Sequence, residues 1–267
     1  MPDHFSVETS DHVATVTLLQ RTMAPQFFAE CERLFSELGQ GPEVRAVVIR
    51  GQGKGFSYGL DLPAAFGEYG PLMTGNGLAA QRTELLGLIR RLQRSFTAVA
   101  SCPVPVIAAI HGWCIGGGLD LISACDIRLA SQDARISLRE TRIAIVADLG
   151  SLQRLPAIIG QGNTRELAFT GKDIDAQRAL AMGLVNEIHE DHESLWQAAG
   201  AMAAEIASNP PLTVRGVKEV LDYGKDRSVA DGLQYVATWN SAFLASRDLG
   251  EAVAAFIQKR PPRFEGK

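Results

Sequence analysis

The chain has 267 residues, 46% of them hydrophobic and 21% charged, with a net charge of −4. That length supports a sizeable core in one large domain, or one domain with a smaller appendage, and without a Lys/Arg-rich run a nucleic-acid surface is excluded as the main activity. No apolar run nears the roughly 20 residues of a membrane-spanning helix, and Met1-Pro2-Asp3-His4-Phe5 lacks the basic and apolar regions of a secretory signal.

These features predict a soluble cytoplasmic protein with no membrane partner. Cys31, Cys102, Cys114 and Cys125 form no CxxC pair and no zinc-type spacing with histidine. The expectation is buried free thiols in a reducing compartment and no metal site.

In chain order, residues 12–19 alternate β-branched and polar residues and predict a strand. A helix is expected over 25–38, with proline in its first turn and Phe27, Phe28, Cys31, Leu34, Phe35 and Leu38 on one face. Residues 44–50 predict a second strand, followed by a turn at Gly51-Gln52-Gly53-Lys54-Gly55. A long helix is expected over 76–98, ended by Pro103 and Pro105. Val106 to Ile110 is a continuous apolar run, the mark of a strand buried on both faces. Residues 116–124 open a buried helix, and 126–130 and 135–138 predict further strands. Strands separated by helices indicate α/β architecture. From residue 192 onward the pattern is helical, three or four segments separated by Pro210-Pro211, Gly224 and Asp248-Leu249-Gly250. The expected division is therefore a core over 1–191 and a helical region over 192–267. Ala198, Ala199, Ala201, Ala203 and Ala204 make a small-residue face suited to close helix packing.

Several motifs fail on inspection. Gly51-x-Gly53-x-Gly55 follows a strand, but Phe56 occupies the position where a dinucleotide fingerprint needs glycine or alanine. No GxxxxGK[ST], GxSxG or HExxH occurs. His111, at the end of a buried strand with no flanking nucleophile, reads as structural.

What stands out is a set of three acids, Asp120, Glu140 and Asp148, in largely apolar surroundings. Carboxylates there are costly to ionise, so they usually have a task or a partner. Their grouping suggests proton transfer on a substrate that needs acid and base at different atoms. Two glycine-bearing turns accompany them, Phe56-Ser57-Tyr58-Gly59-Leu60-Asp61-Leu62 and Ile115-Gly116-Gly117-Gly118. Each lets backbone approach a ligand, and two N–H groups aimed at one carbonyl oxygen make an oxyanion hole. The second turn also precedes a helix, whose N-terminus favours negative charge.

With these residues in place the chain resembles the enoyl-CoA hydratase/isomerase (crotonase) superfamily. The matching stretches are 45–62, 104–130, 135–155, 167–171 through 181–185, and 251–264. The resemblance implies a spiral of ββα units with a helical C-terminal region that mediates trimers, often stacked as dimers of trimers. It implies acyl-CoA thioesters as ligands, with coenzyme A arriving as part of the substrate and no other cofactor. By the family pattern, the N–H groups of Tyr58 and Gly117 would hold the thioester oxygen. Ser57, Gly59, Leu60, Asp61 and Gly116 would line the substrate.

Within the superfamily the acids decide the chemistry. Typical hydratases carry glutamate at the positions of Asp120 and Glu140, and glycine where Asp148 stands. The combination found here is similar to the Δ3,5-Δ2,4-dienoyl-CoA isomerases of fatty acid β-oxidation. That resemblance implies that Asp148 abstracts the C2 proton, Glu140 protonates C6, and Asp120 positions or tunes Glu140. The chemistry is coherent, because moving two conjugated double bonds removes a proton at one end of a five-carbon path and returns one at the other. The alternatives are an enoyl-CoA hydratase, a Δ3-Δ2-enoyl-CoA isomerase, and a non-catalytic acyl-CoA or RNA binder. Three departures from the pattern stand out. The loop at 19–24 is short and lacks the customary lysine, leaving Arg21 as the candidate for the CoA phosphates. Tyr58 replaces a small residue, and Arg142 an apolar one.

Overall fold

The computed structural model describes residues 4–75 and 77–267. Asn76, the first residue of the expected 76–98 helix, and residues 1–3 of the segment read for a signal lie outside the described residues.

The chain opens with a hairpin of β1 (Phe5–Ser10) and β2 (Val13–Leu18). Its two-residue turn holds Asp11 and His12 at φ 47° and 66°, the primed-turn geometry that matches strand twist. Next come α1 (Pro25–Glu37), β3 (Ala46–Gly51), α2 (Leu62–Thr74), α3 (Ala79–Ala100), β4 (Val106–Ile110), β5 (Trp113–Ile115) and α4 (Gly117–Ser123). They are followed by β6 (Ile127–Ser131), β7 (Arg135–Ser137), a 3-10 turn (Glu140–Ile143), α5 (Ser151–Thr170), β8 (Asp173–Asp175), α6 (Ala176–Ala181) and β9 (Glu187–His189). The C-terminal helices are α7 (His192–Ser208), α8 (Pro211–Gly224), α9 (Val229–Phe243) and α10 (Arg247–Gln258).

Six strands form one sheet in the order β1-β2-β3-β4-β6-β9, parallel from β2 onward. A second sheet of three strands runs β5-β7-β8. Bridges between Ser57 and Cys114 and between Met23 and Leu60 extend it toward the chain segments that follow β3 and β2. Strands of the main sheet are thus repeatedly followed by a short segment in the second layer, and then by a helix. This is the strand–strand–helix spiral that the family resemblance implies.

Alternation along the strands sorts the core. Val47 and Ile49 of β3, with Val106, Ala108 and Ile110 of β4, face Phe27, Phe28, Phe35 and Phe96 of α1 and α3. The intervening Ala46, Val48, Ile107 and Ala109 face Leu195, Ala199 and Ala203 of α7. All four cysteines are buried free thiols, as expected.

Two expectations need correction. Division at 191/192 falls at the start of α7, yet α7 covers the sheet and belongs to the core; its alanines let it sit close to strands rather than to another helix. The helices beyond the sheet are α8–α10. Asp248-Leu249-Gly250 is also no separator. Ser246 accepts from the Leu249 N–H at 3.1 Å and caps α10, so those residues form its first turn.

Candidate active site

Two turns meet between the sheets. In the first, the Gly59 N–H donates to Ser57 Oγ at 3.1 Å. The Met23 N–H donates to Gly59 O at 2.8 Å and the Asp61 N–H to Met23 O at 3.0 Å. Met23 therefore bonds on either side of Leu60, and the Leu60 N–H points away from it. In the second, Gly116 follows β5 with φ 53° and caps α4, which begins at Gly117. The first N–H groups of a helix have no partner within it. Among the described residues, neither Leu60 N–H nor Gly117 N–H has an acceptor.

The turns touch. A Cβ on Gly59 (φ 78°) would stand 2.6 Å from Ile115 O and 3.2 Å from Gly117 N, so only glycine fits. A Cβ on Gly117 would stand 3.8 Å from Leu60 N. Two free donors thus share one small space at a helix N-terminus, the arrangement that stabilises an oxyanion.

The Tyr58 N–H expected as a donor is not available, because it donates to Arg21 O at 2.7 Å. Leu60 supplies the free N–H two residues on. Resemblance to a motif identified the turn, but pairing with the Met23 segment decides which amide is free, and that pairing has no mark in the turn's own sequence. Arg21 contributes its carbonyl here. Its exposed guanidinium makes no hydrogen bond or ion pair among the described residues. Asp61 is occupied as the cap of α2, accepting from the Ala64 N–H at 3.0 Å and the Thr22 hydroxyl at 2.9 Å. These donors hold its carboxyl below the usual range. Arg142 lies against Gly171. His111 is buried, with Nε2 3.0 Å from Gly53 O, fastening the 51–55 turn that leads into the first loop.

The three acids enter from different elements. Asp120 is in the first turn of α4 and is 1% exposed. Its Oδ1 accepts from the Ser151 N–H, the first of α5, at 2.7 Å. Glu140 begins the 3-10 turn, and its Oε1 would be 3.1 Å from a Cβ on Gly116, so its carboxyl group lies against the second glycine turn. Glu140 Oε2 is buried and has no hydrogen-bond partner among the described residues. Asp148 is in an irregular segment before α5.

Burial raises all three. It pushes Asp120 to about 6, with the Ser151 N–H opposing and the charge of Asp148 adding. It pushes Glu140 to about 7, helped by the charges of Asp120 and Asp148. Asp148 is raised by burial, against its own N–H. Such a group can hold a proton on one carboxyl while another is ionised.

A model of the enoyl-CoA hydratase/isomerase family matches residues 8–267. Among curated proteins, the chain is 44% identical to a mitochondrial Δ(3,5)-Δ(2,4)-dienoyl-CoA isomerase of Dictyostelium discoideum, over 91% of this chain and 83% of that one. It is 42% identical to a peroxisomal Δ(3,5)-Δ(2,4)-dienoyl-CoA isomerase of Arabidopsis thaliana, over 98% of this chain and 91% of that one. Among solved structures, an enoyl-CoA hydratase of Bacillus anthracis superposes with TM-score 0.88 at 31% identity, covering 99% of this chain and 100% of that one. The relatives' compartments overturn the cytoplasmic expectation: they are mitochondrial or peroxisomal. Composition reports solubility, which these compartments share with the cytosol. By the extent of the family match and the identity to these relatives, the chain belongs to the enoyl-CoA hydratase/isomerase family.

Proposed function

We propose that the chain isomerises 3,5-dienoyl-CoA thioesters to 2,4-dienoyl-CoA thioesters. The dienoyl-CoA isomerase relatives support the reaction. A Thermobifida fusca relative of the same fold, solved in complex with CoA at TM-score 0.80 and 28% identity, supports the ligand class. No metal or redox group takes part in this reading.

The site's residues divide the work as follows. The N–H groups of Leu60 and Gly117 hold the thioester oxygen and stabilise its negative charge once C2 is deprotonated. Asp148, ionised, takes the C2 proton. The electron pair moves along the conjugated path, and protonated Glu140 delivers its proton to C6. Proton count is conserved, with Asp148 ending protonated and Glu140 ionised; exchange with water restores them. A Glu140 held near 7 is half protonated at neutral pH, which suits a general acid.

The observation that carries this reading is the bond from Ser151 N–H to Asp120 Oδ1. Hydration needs two carboxylates converging on one water. Here Asp120 is one methylene shorter than glutamate and has one oxygen engaged by the start of α5, so the proton transfers are assigned to Glu140 and Asp148. Parallel assays on a 3,5-dienoyl-CoA and a 2-enoyl-CoA test it. Fast isomerisation with weak hydration is expected; hydration at the rate of a dedicated hydratase would contradict it.

We also propose that the chain assembles with copies of itself, as a trimer or a dimer of trimers. Val217, Leu221, Leu249, Val253, Phe256 and Ile257 of α8 and α10 are large apolar side chains left exposed, of the kind an interface between copies covers.

A further inference from the structure

Asp148 sits in a stretch with few main-chain anchors: its neighbours Ala147 and Leu149 are buried in the core and Arg154 Nη1 donates to Leu149 O at 3.4 Å, but none of these fixes the Asp148 peptide itself. The Ile145 N–H donates to Glu140 O at 3.0 Å, and Gly150 O accepts from the Arg154 N–H at 3.0 Å. Between them, residues 146–149 form no main-chain to main-chain hydrogen bond among the described residues. Ala144, at φ 60°, has just turned the chain out of the 3-10 turn. The peptide of a base needs its own anchor, because a displacement of about 1 Å at a reacting group costs on the order of a hundredfold in rate.

One side chain reaches this backbone at Asp148 itself. Gln93 Nε2, from α3, donates to Asp148 O at 2.7 Å. Its helix is firmly seated. Phe96 packs on Phe28 with ring centroids 5.9 Å apart. The Cys31 thiol donates to Ser95 O at 3.6 Å. Phe96 and Val99 are fully buried. Glutamine is also the right reach for the task. Its amide is neutral, so it adds no charge beside a carboxylate that burial already strains, whereas a lysine or arginine here would hold Asp148 ionised.

We propose that Gln93 is a positioning residue, fixing the Asp148 main chain from α3 so that its carboxylate meets the substrate's C2. This rests on the reading of Asp148 as the base. Gln93 touches no reacting atom; it acts through the peptide that carries one.

The test combines a double-mutant cycle with a measurement that needs no substrate. Gln93→Leu keeps the side chain's bulk and removes the donor. Its kcat on 3,5-dienoyl-CoA should fall by about tenfold or more, with KM within about twofold and the melting temperature nearly unchanged. In an Asp148→Asn background the same change should cost nothing further, because the base it positions is gone. Amide hydrogen exchange over 144–151 should quicken in Gln93→Leu while α3 and α4 keep their protection. Equal losses in both backgrounds, or unchanged exchange over 144–151, would overturn the proposal. Wild-type chain inactive on the dienoyl thioester would instead count against the reading of the reaction, with exchange still deciding whether Gln93 holds the segment.

Discussion

The Ser151 N–H donates to Asp120 Oδ1 at 2.7 Å, so the most buried acid of the site meets the start of α5. The positive end of the first stretch of α5, which runs to the kink at Gly160, faces it. This one bond ties α4, which supplies the Gly117 N–H, to the segment that carries Asp148. Asp120 thereby holds two parts of the site together and adds its charge to the environment of Glu140.

Replacing that charge without the bond separates these roles. Asp120→Asn retains an oxygen that can accept from Ser151, so the chain should stay folded. Loss of the neighbouring charge lowers the Glu140 pKa from about 7. In the proposed reaction Glu140 is the acid, so the alkaline limb of the kcat/KM profile should move to lower pH. An unmoved limb in a folded variant would show that Asp120 does not tune Glu140.

The raised acids also set how stability depends on pH. Glu140 rises from 4.5 to about 7 on folding. Across that window the folded chain keeps a proton that the unfolded chain has lost, so stability falls as pH rises through it. Glu140→Gln removes this penalty. Relative to wild type it should be more stable by about 2 kcal/mol at about pH 8, and show little gain at about pH 4. Thermal unfolding at the two pH values checks this, and a variant less stable at the higher pH would contradict it.

The oxyanion donors can be tested at two neighbouring positions. Leu60→Pro removes the free N–H and should lower kcat/KM by about a hundredfold or more, in line with loss of one such donor. Tyr58→Ala leaves the Tyr58–Arg21 backbone bond and the Leu60 N–H intact. It should change kcat by less than about tenfold, its effect falling on acyl preference. The reverse order would restore Tyr58 as the donor.

Most of the fold was legible because its signals are local. The apolar run 106–110, the amphipathic face of 25–37 and the β-branched alternation of 13–18 each record burial directly in the residues. Elements without such signals escaped. Helix α5 carries Pro156 and bends at Gly160 (φ 78°), which breaks its pattern. Strand β1 exposes four of its six residues, and β8 and β9 have three residues each. The three acids were visible as acids in apolar company. Their partners were not: Ser151, Gln93 and Met23 reach the site from 31, 55 and 36 or more positions away, and no spacing rule records such contacts. That is why the turn was identified from sequence while the free amide within it was not.

Lys218 offers a stability test away from the site. Its Nζ donates to Asp126 Oδ2 at 2.7 Å and to Val104 O at 3.2 Å, joining α8 to the sheet. The lysine side chain is 8% exposed and the aspartate 29%. Lys218→Met leaves Asp126 with water and the Val106 N–H. The expected loss is about 2 kcal/mol, below that for a wholly buried pair because Asp126 keeps some solvent. A lower melting temperature with unchanged kcat checks it; no loss would mean the pair only offsets its own desolvation.

The most direct test of the central claim is conversion of a 3,5-dienoyl-CoA, followed by the absorbance of the conjugated 2,4-dienoyl product, in wild type and Asp148→Asn. The account predicts rapid conversion by wild type and a loss of about a thousandfold or more in the variant, as expected when a general base is removed. Conversion at an undiminished rate in Asp148→Asn, or none in wild type alongside rapid hydration of a 2-enoyl-CoA, would contradict it.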